Sequence, residues 1–447
     1  MSPAVDRLWI KDPLAIVADG AERGLVVEGR TIAELVPAGA EPSAPARVFD
    51  ASRHVVLPGL INTHHHFYQT LTRAHPAAID KPLFSWLKAL YPLWARLTPE
   101  DLRAATRIAL VELLMSGCTT AADHHYLYPA GLEQAVDIEV EAARDVGLRM
   151  TVTRGSMNLS EKDGGLPPDS VVQDEDAILR DSERVLNLFH DPAPGADIRI
   201  GLAPCSPFTV TERLMRETAA LAERHDGALH THLAETADEE AFCVARYGCR
   251  PVDLLERNGW LVPRTWVAHG IHFDDAEVAR LGRHGVGVCH CAASNMVLAS
   301  GICRTVELEA AGAPVGLGVD GSASNDASNM MEALRQALMI GRLRYGAERV
   351  SHRDVIRWGT EGSARCLGRD DVGRIAPGMQ ADLALFTLDE TRFAGAHDPV
   401  AALVLCNANR ADRVMVGGRW RVEDGQPVGL DLAKMIADQR QAAKRFA

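Results

Sequence analysis

No lysine occurs between Lys162 and Lys434 in this 447-residue chain. A carboxylated lysine bridging two metal ions is therefore excluded from the middle of the sequence. The nine cysteines are an odd number and form no CxxC pair, which argues for reduced, buried thiols and against a disulfide framework or a thiolate metal cluster. No stretch reaches about 18 uninterrupted apolar residues, and the opening "MSPAVDRLWIKDPLAI" lacks the basic start and apolar core of a signal peptide. The expectation is a cytoplasmic protein with no membrane partner. Clusters of Lys and Arg are also missing and the formal net charge is -13. A nucleic-acid polymer is thereby a poor partner, because phosphate contacts need concentrated positive charge.

What is present is an ordinary globular balance, 47% hydrophobic and 24% charged, arranged as short β-branched or apolar runs alternating with helical patterns. Eight such runs lie between residues 55 and 321: "VVLPGLINTHH", "TTAADHH", "RMTVTRG", "IRIGLAPCSP", "ALHTHLAE", "TWVAHGIH", "GVGVCHCAAS" and "PVGLGVDGS". Segments such as "DLRAATRIALVELLMSG" and "TERLMRETAALAERHDG" between them place apolar residues at three to four residue spacing, with Gly near the end. This order predicts a (β/α)8 TIM barrel over 58–372. Residues 1–57 and 373–447 instead hold short strands and turns followed by a terminal helix. Neither flank is large enough for its own core, so the two are expected to form one small β-sandwich domain. The polar loop "SEKDGGLPPDS" at 160–170 is long enough to act as a lid.

Barrel enzymes draw their reactive groups from the C-terminal ends of strands, and several of these runs end in histidine. In "INTHHHFYQ" alternate side chains share a face, so His64 and His66 can converge while His65 points away. Later runs end in "HTHLAE", "VAHG" and "GVDGSASND". The set is thus His64, His66, His232, Glu235, His269 and Asp320, with imidazoles and carboxylates near one rim. Such donors suit Zn²⁺, or Fe²⁺ and other first-row ions, and without a bridging lysine one metal per subunit is the better count. A lone strand histidine is usually structural, and the pair His124 and His125 is open to that reading. The ordered combination carries the argument.

These motifs, with "ELLMSGCTTAADHHY", "SNMVLASG" and "GRIAPGMQADLALF", resemble the amidohydrolase superfamily over nearly the whole chain. The branch is that of cytosine/guanine deaminases and s-triazine hydrolases. Within it, "NTHHHFYQTLTRA", "TRGSMNLSEKDGGLPPDS" and "LAPCSPFTVT" are most like the 8-oxoguanine-deaminating members. The resemblance implies a divalent metal, usually zinc, on His64, His66, His232 and Asp320. Glu235 and His269 would then act on water and substrate, with Asp320 taking a proton as well. It implies hydrolytic deamination of a guanine-like purine, 8-oxoguanine to uric acid plus ammonia. Alternatives on the same barrel are isoxanthopterin or another pterin, guanine, cytosine or an s-triazine amine. Gln69, in the pattern HxHxxQ, and Arg154, ending strand 3, resemble the residues that guanine deaminases set against the purine edge. Trp86, Tyr68 and Tyr126 could stack on the ring, and Cys205 and Ser206 could face the pocket. One departure is Ala292, where relatives commonly carry Pro, which puts the strand 7 loop in question. A homo-oligomer is expected by analogy alone.

Overall fold

Eight parallel strands follow one another around the sheet in chain order, in a computed structural model that describes residues 6–447. They are β1 (Leu60–Asn62), β2 (Cys118–His125), β3 (Arg149–Ser156), β4 (Ile198–Pro204), β5 (Ala228–Leu233), β6 (Thr265–His269), β7 (Gly287–His290) and β8 (Val315–Leu317). The backbone N–H of Thr63 donates to Leu317 O at 3.0 Å and closes the ring. All eight are almost wholly buried, as parallel strands covered by helices must be.

Each helix between strands has a local reason to start and stop. Pro99–Met115 begins at a capping box in which Thr98 and Asp101 satisfy each other's backbone N–H, with Pro99 in the first turn. It turns Leu102, Ala105, Ala109, Leu110 and Leu113 inward. Each buried leucine contributes about 1.5–3 kcal/mol over an exposed one. Ala135–Val146 ends at Gly147, whose φ of 76° is the left-handed stop that glycine takes at low cost.

Two further sheets come from the chain ends. One pairs Leu8–Lys11 with Gly24–Glu28 and Arg47–Asp50, and Thr31–Leu35 extends it. The other runs through Ala15–Ile16, His54–Pro58, Leu383–Thr387, Arg413–Val416, Arg419–Glu423 and Gln426–Pro427. Alternation splits the second sheet's two faces. Val56, Leu383, Leu385 and Met415 pack on Ile10, Leu25 and Val27 of the first sheet. Val55, Leu57, Ala384 and Phe386 join the barrel's core instead. A sandwich results, with one outer face fused to the barrel.

Two details differ from the sequence reading. The run "VVLPGLINTHH" is not one strand: His54–Pro58 pairs antiparallel with Leu383–Thr387, and only Leu60–Asn62 joins the barrel. The break is at Gly59, where an added Cβ would lie 2.1 Å from Thr119 Oγ1. Only a residue without a side chain lets the backbone pass Thr119 while changing sheets. The terminal helix Leu432–Ala443 packs on Pro99–Met115 rather than on the flanking sheets. Behind it Phe446, fully buried, joins Tyr68, Trp86 and Trp94 in the apolar cluster around the barrel's mouth. The 160–170 loop feeds Leu166 into that same cluster.

Candidate functional site

The chain crosses between the ends of β1 and β8 through paired polar contacts. Val319 N–H donates to Asn62 Oδ1 at 2.9 Å, and Asp320 N–H donates to His64 O at 3.0 Å. These bonds set the Asp320 carboxylate against the histidines that follow β1. Asp320 and His269 both sit at positive φ, 67° and 75°. Non-glycine residues there store strain of order 1–3 kcal/mol, which the surrounding structure must hold.

Hydrogen bonding decides the tautomer of each ring. His66 Nδ1 lies 2.7 Å from His124 O and His232 Nδ1 lies 2.6 Å from Cys205 O. A carbonyl only accepts, so both Nδ1 atoms carry the proton and both Nε2 atoms present lone pairs. His230 Nδ1 likewise donates to Trp266 O at 2.9 Å, which leaves His230 Nε2 as an acceptor. His64 Nδ1, 2.7 Å from that atom, must then donate, and His64 Nε2 is also bare. The three lone pairs meet. His66 Nε2 is 3.2 Å from His232 Nε2, and Asp320 Oδ1 is 3.4 Å from His64 Nε2 and 3.3 Å from His66 Nε2.

Four acceptors at this spacing with no proton between the rings are what a small cation needs. Ligands about 2.1 Å from a tetrahedral ion stand about 3.4 Å apart. Burial holds His66 in its neutral form, with a pKa lowered to about 3. Burial would raise Asp320, but the imidazoles of His64, His269 and His66 around it favour its ionised form and bring it well below the usual carboxylate range. The donor set fits zinc. His230 is the residue the sequence reading missed here. Its signal was present in "HTH", where the first histidine orients His64 and the second joins the cluster. His124 also lies among the rings, stacked on His232 at 4.8 Å, and its Nε2 donates to Ala203 O at 3.0 Å.

Across the cluster stand Glu235 and His269. With the Asn295 amide oxygen turned towards it, His269 Nδ1 donates to Oδ1 at 2.9 Å, and His269 Nε2 then faces Glu235 Oε2 at 3.5 Å and Asp320 Oδ2 at 3.9 Å. Burial pushes Glu235 up to about 7, so its carboxyl can take or give a proton near neutrality. Burial would lower His269, but the two carboxylates outweigh it and the pKa is raised. Glu239 accepts the backbone N–H groups of Ala234 and Glu235 at 2.8 and 3.0 Å and so fixes the turn that presents Glu235.

Above this polar floor is a cavity lined on one side by His66, His232, Glu235, His269 and Asp320. The other side holds Gln69, Trp86, Tyr91, Tyr126, Ser206 and Phe208. Gln69 lines the cavity. Its Oε1 accepts from Ala323 N–H at 3.3 Å, and Gly321 makes room, since a Cβ there would meet Oε1 at 1.9 Å. Arg154 is a correction. Its Nε donates to Asp181 at 2.8 Å, Nη2 to Gln173 at 2.7 Å and Nη1 to Gly155 O, while its face covers Tyr128 at 3.9 Å. It does not line the cavity. The reason is alternation: Arg154 and His125 are neighbours in the β3–β2 register, and His125 points away from the ring cluster. Tyr68 is packed behind the cavity wall against Trp94. His65 turns away, with Nε2 2.8 Å from Ser328 Oγ. Ala292 opens the short helix Ala292–Val297 that carries Asn295, a position where proline would also fit.

Residues 55–421 match the profile described as the amidohydrolase family. The chain is 63% identical to an 8-oxoguanine deaminase of Pseudomonas aeruginosa over 443 residues, covering 98% of this chain and 99% of the other. It is 35% identical to an isoxanthopterin deaminase of an unknown prokaryotic organism, covering 91% and 88%. Among solved structures, an atrazine chlorohydrolase from Arthrobacter aurescens TC1 complexed with zinc superposes with a TM-score of 0.91. The identity there is 31%, and 98% of this chain and 100% of that one are covered.

Proposed function

The chain belongs to the amidohydrolase family, and from that premise we propose that it is a metal-dependent deaminase converting 8-oxoguanine and water to uric acid and ammonia. The observation that carries the reading is the joint geometry at the rim of the barrel. Three imidazole lone pairs and Asp320 converge below an aromatic-walled cavity, with Glu235 tuned to about 7 beside them. The 63% identity to an 8-oxoguanine deaminase supports the choice of ring.

His64, His66, His232 and Asp320 would hold one divalent ion, zinc by the character of the donors. When bound, such an ion supplies Lewis acidity and lowers the pKa of water towards ~7. The chain's own groups do the rest. Asp320 takes the proton from the attacking water. Glu235, protonated at the start, gives its proton to N3 of the purine as oxygen adds at C2 and recovers one from the C2 hydroxyl. Asp320 passes the proton it took from water to the departing amine, so that C2 keeps a carbonyl and ammonia leaves. Positioned proton transfer of this kind contributes roughly 10² to 10⁴ in rate. His269, raised in pKa and aimed by Asn295, stabilises the charge on the incoming oxygen. Gln69 offers its amide to the purine edge, and Trp86 and Tyr126 wall the ring. Arg154 has no part in this scheme, because its donors are already spent on Asp181 and Gln173.

The test is a panel of 8-oxoguanine, guanine, isoxanthopterin, cytosine and hydroxyatrazine on zinc-loaded protein, following amine release and product spectra. The highest kcat/KM is expected for 8-oxoguanine, with urate formed. Isoxanthopterin in first place would keep the barrel and proton-transfer roles and overturn the substrate.

A further inference from the structure

On the outer face of β2, away from the cavity, three buried groups face one another with no donor among them. Alternation puts Asp123 and His125 on the face opposite His124, against Glu139 of helix Ala135–Val146. All three side chains are buried, and one ligand atom from each lies within 4.8 Å of the others. His125 Nε2 is 2.6 Å from Leu127 O, so it bears the ring proton and Nδ1 is a lone pair. Among the described residues, that Nδ1, both carboxylate oxygens of Glu139 and Oδ2 of Asp123 have no hydrogen-bond partner.

We propose that Asp123, His125 and Glu139 form a second divalent-cation site, structural in role and of the zinc class, separate from the catalytic one. Between His125 and Glu139 the spacing favours a cation over a shared proton. His125 Nδ1 stands 3.5 Å from Glu139 Oε1, whereas a charge-assisted hydrogen bond closes to about 2.7–2.9 Å. The edge of a tetrahedral site with ligands at about 2.1 Å is about 3.4 Å. The charge balance favours it as well. Two carboxylates are buried here, and the cation nearby, Arg154, gives its guanidinium to Asp181, Gln173 and Gly155 O. A doubly charged ion neutralises both carboxylates with imidazole as the third ligand. Burial pushes both carboxyls up in pKa, and the charge of Asp123 pushes Glu139 further, so their ionised forms depend on a positive partner.

Such an ion would brace the catalytic face from behind. Asp123 Oδ1 accepts the N–H of Phe67 at 2.7 Å, the residue after His66, and His124 O accepts from His66 Nδ1. Holding Asp123 and His125 therefore holds the strand end that orients His66. Because the ligands are buried, the ion would enter during folding and resist mild chelation. The inference does not rest on the deaminase reading.

The test is metal content and an anomalous diffraction map at the zinc edge, on full-length protein expressed with zinc. Two ions per chain are expected, one peak among His64, His66, His232 and Asp320 and one among Asp123, His125 and Glu139. Glu139→Gln should lose the second peak and keep the first. A wild-type map with no peak at Asp123, His125 and Glu139 overturns the proposal, whatever the fate of the catalytic peak, and means that protons neutralise the trio. Should Glu139→Gln fail to fold, the wild-type map decides alone.

Discussion

The two ends of the barrel bury polar groups in opposite ways. At the end towards the flanking sheets, Arg149 is buried with its donors matched. Nε and Nη2 reach Asp382 at 2.8 and 3.2 Å, Nη2 reaches Gln380 at 2.9 Å, and Nη1 reaches Gly195 O and Asp197 at 2.7 and 2.8 Å. At the other end, the lone pairs of His64, His66 and His232 face one another and Asp320. An unmatched buried acceptor is costly, and a fold retains several together only where something positive binds. Matched burial is thus the mark of architecture, and convergent lone pairs are the mark of a site. By that measure Asp123, His125 and Glu139 belong with the catalytic end, although they lie outside its cavity.

Breaking the unmatched end should cost chemistry and little else. Glu235→Gln keeps size and removes the titrating group, so kcat should fall by roughly 10² to 10⁴. Metal content and thermal midpoint should stay within error of the wild type. Ammonia release and metal analysis on the same sample check this, and a loss of metal would show that Glu235 holds the site instead of moving protons.

Breaking the matched end should do the reverse. Arg149→Met leaves Asp382 buried without its cation, and removing one partner of a buried pair costs about 3–5 kcal/mol. Denaturant unfolding should show that loss, while the folded fraction keeps kcat/KM within a few-fold at low temperature. A hundredfold fall in kcat/KM with unfolding unchanged would dissolve the contrast between the two ends.

Much of the catalytic end was legible because its signals are local and periodic. HxH, HxxE and a terminal Asp each close a strand, and strand ends are adjacent in a barrel whatever their separation in sequence. What was not legible depends on register between strands. Arg154 ends β3 as expected, but its direction is set by pairing with His125, and the partners that engage it, Asp181 and Gln173, come from the following loop and helix. The split at Gly59 was hidden for a related reason. Both halves of "VVLPGLIN" are apolar because each is buried, and nothing in that pattern says that they lie in different sheets. The cluster of Asp123, His125 and Glu139 joins a strand to the helix after it, and Glu139 alone on a helix reads as an ordinary surface acid.

The smallest expected effect sharpens the matched end by pH. Asp371, behind Arg149, accepts from Arg369 Nη2 at 2.7 Å and from Gly195 N–H at 2.6 Å. Burial would raise its pKa, but Arg369 outweighs burial and brings it to about 2, below the ordinary 3.8. The folded state thus holds this proton less tightly than the unfolded chain. The stabilisation is complete above the unfolded pKa and is lost as pH falls through about 2. A shift of that size corresponds to ~2 kcal/mol at neutral pH. Asp371→Asn should be less stable than the wild type by about that amount at pH 7, and the gap should narrow steadily as pH falls from 4 towards 2. Paired unfolding curves across that range measure the gap directly. A constant gap would mean that the substituted amide disturbs packing at the barrel's end, and that the Arg369 pair contributes shape there without charge.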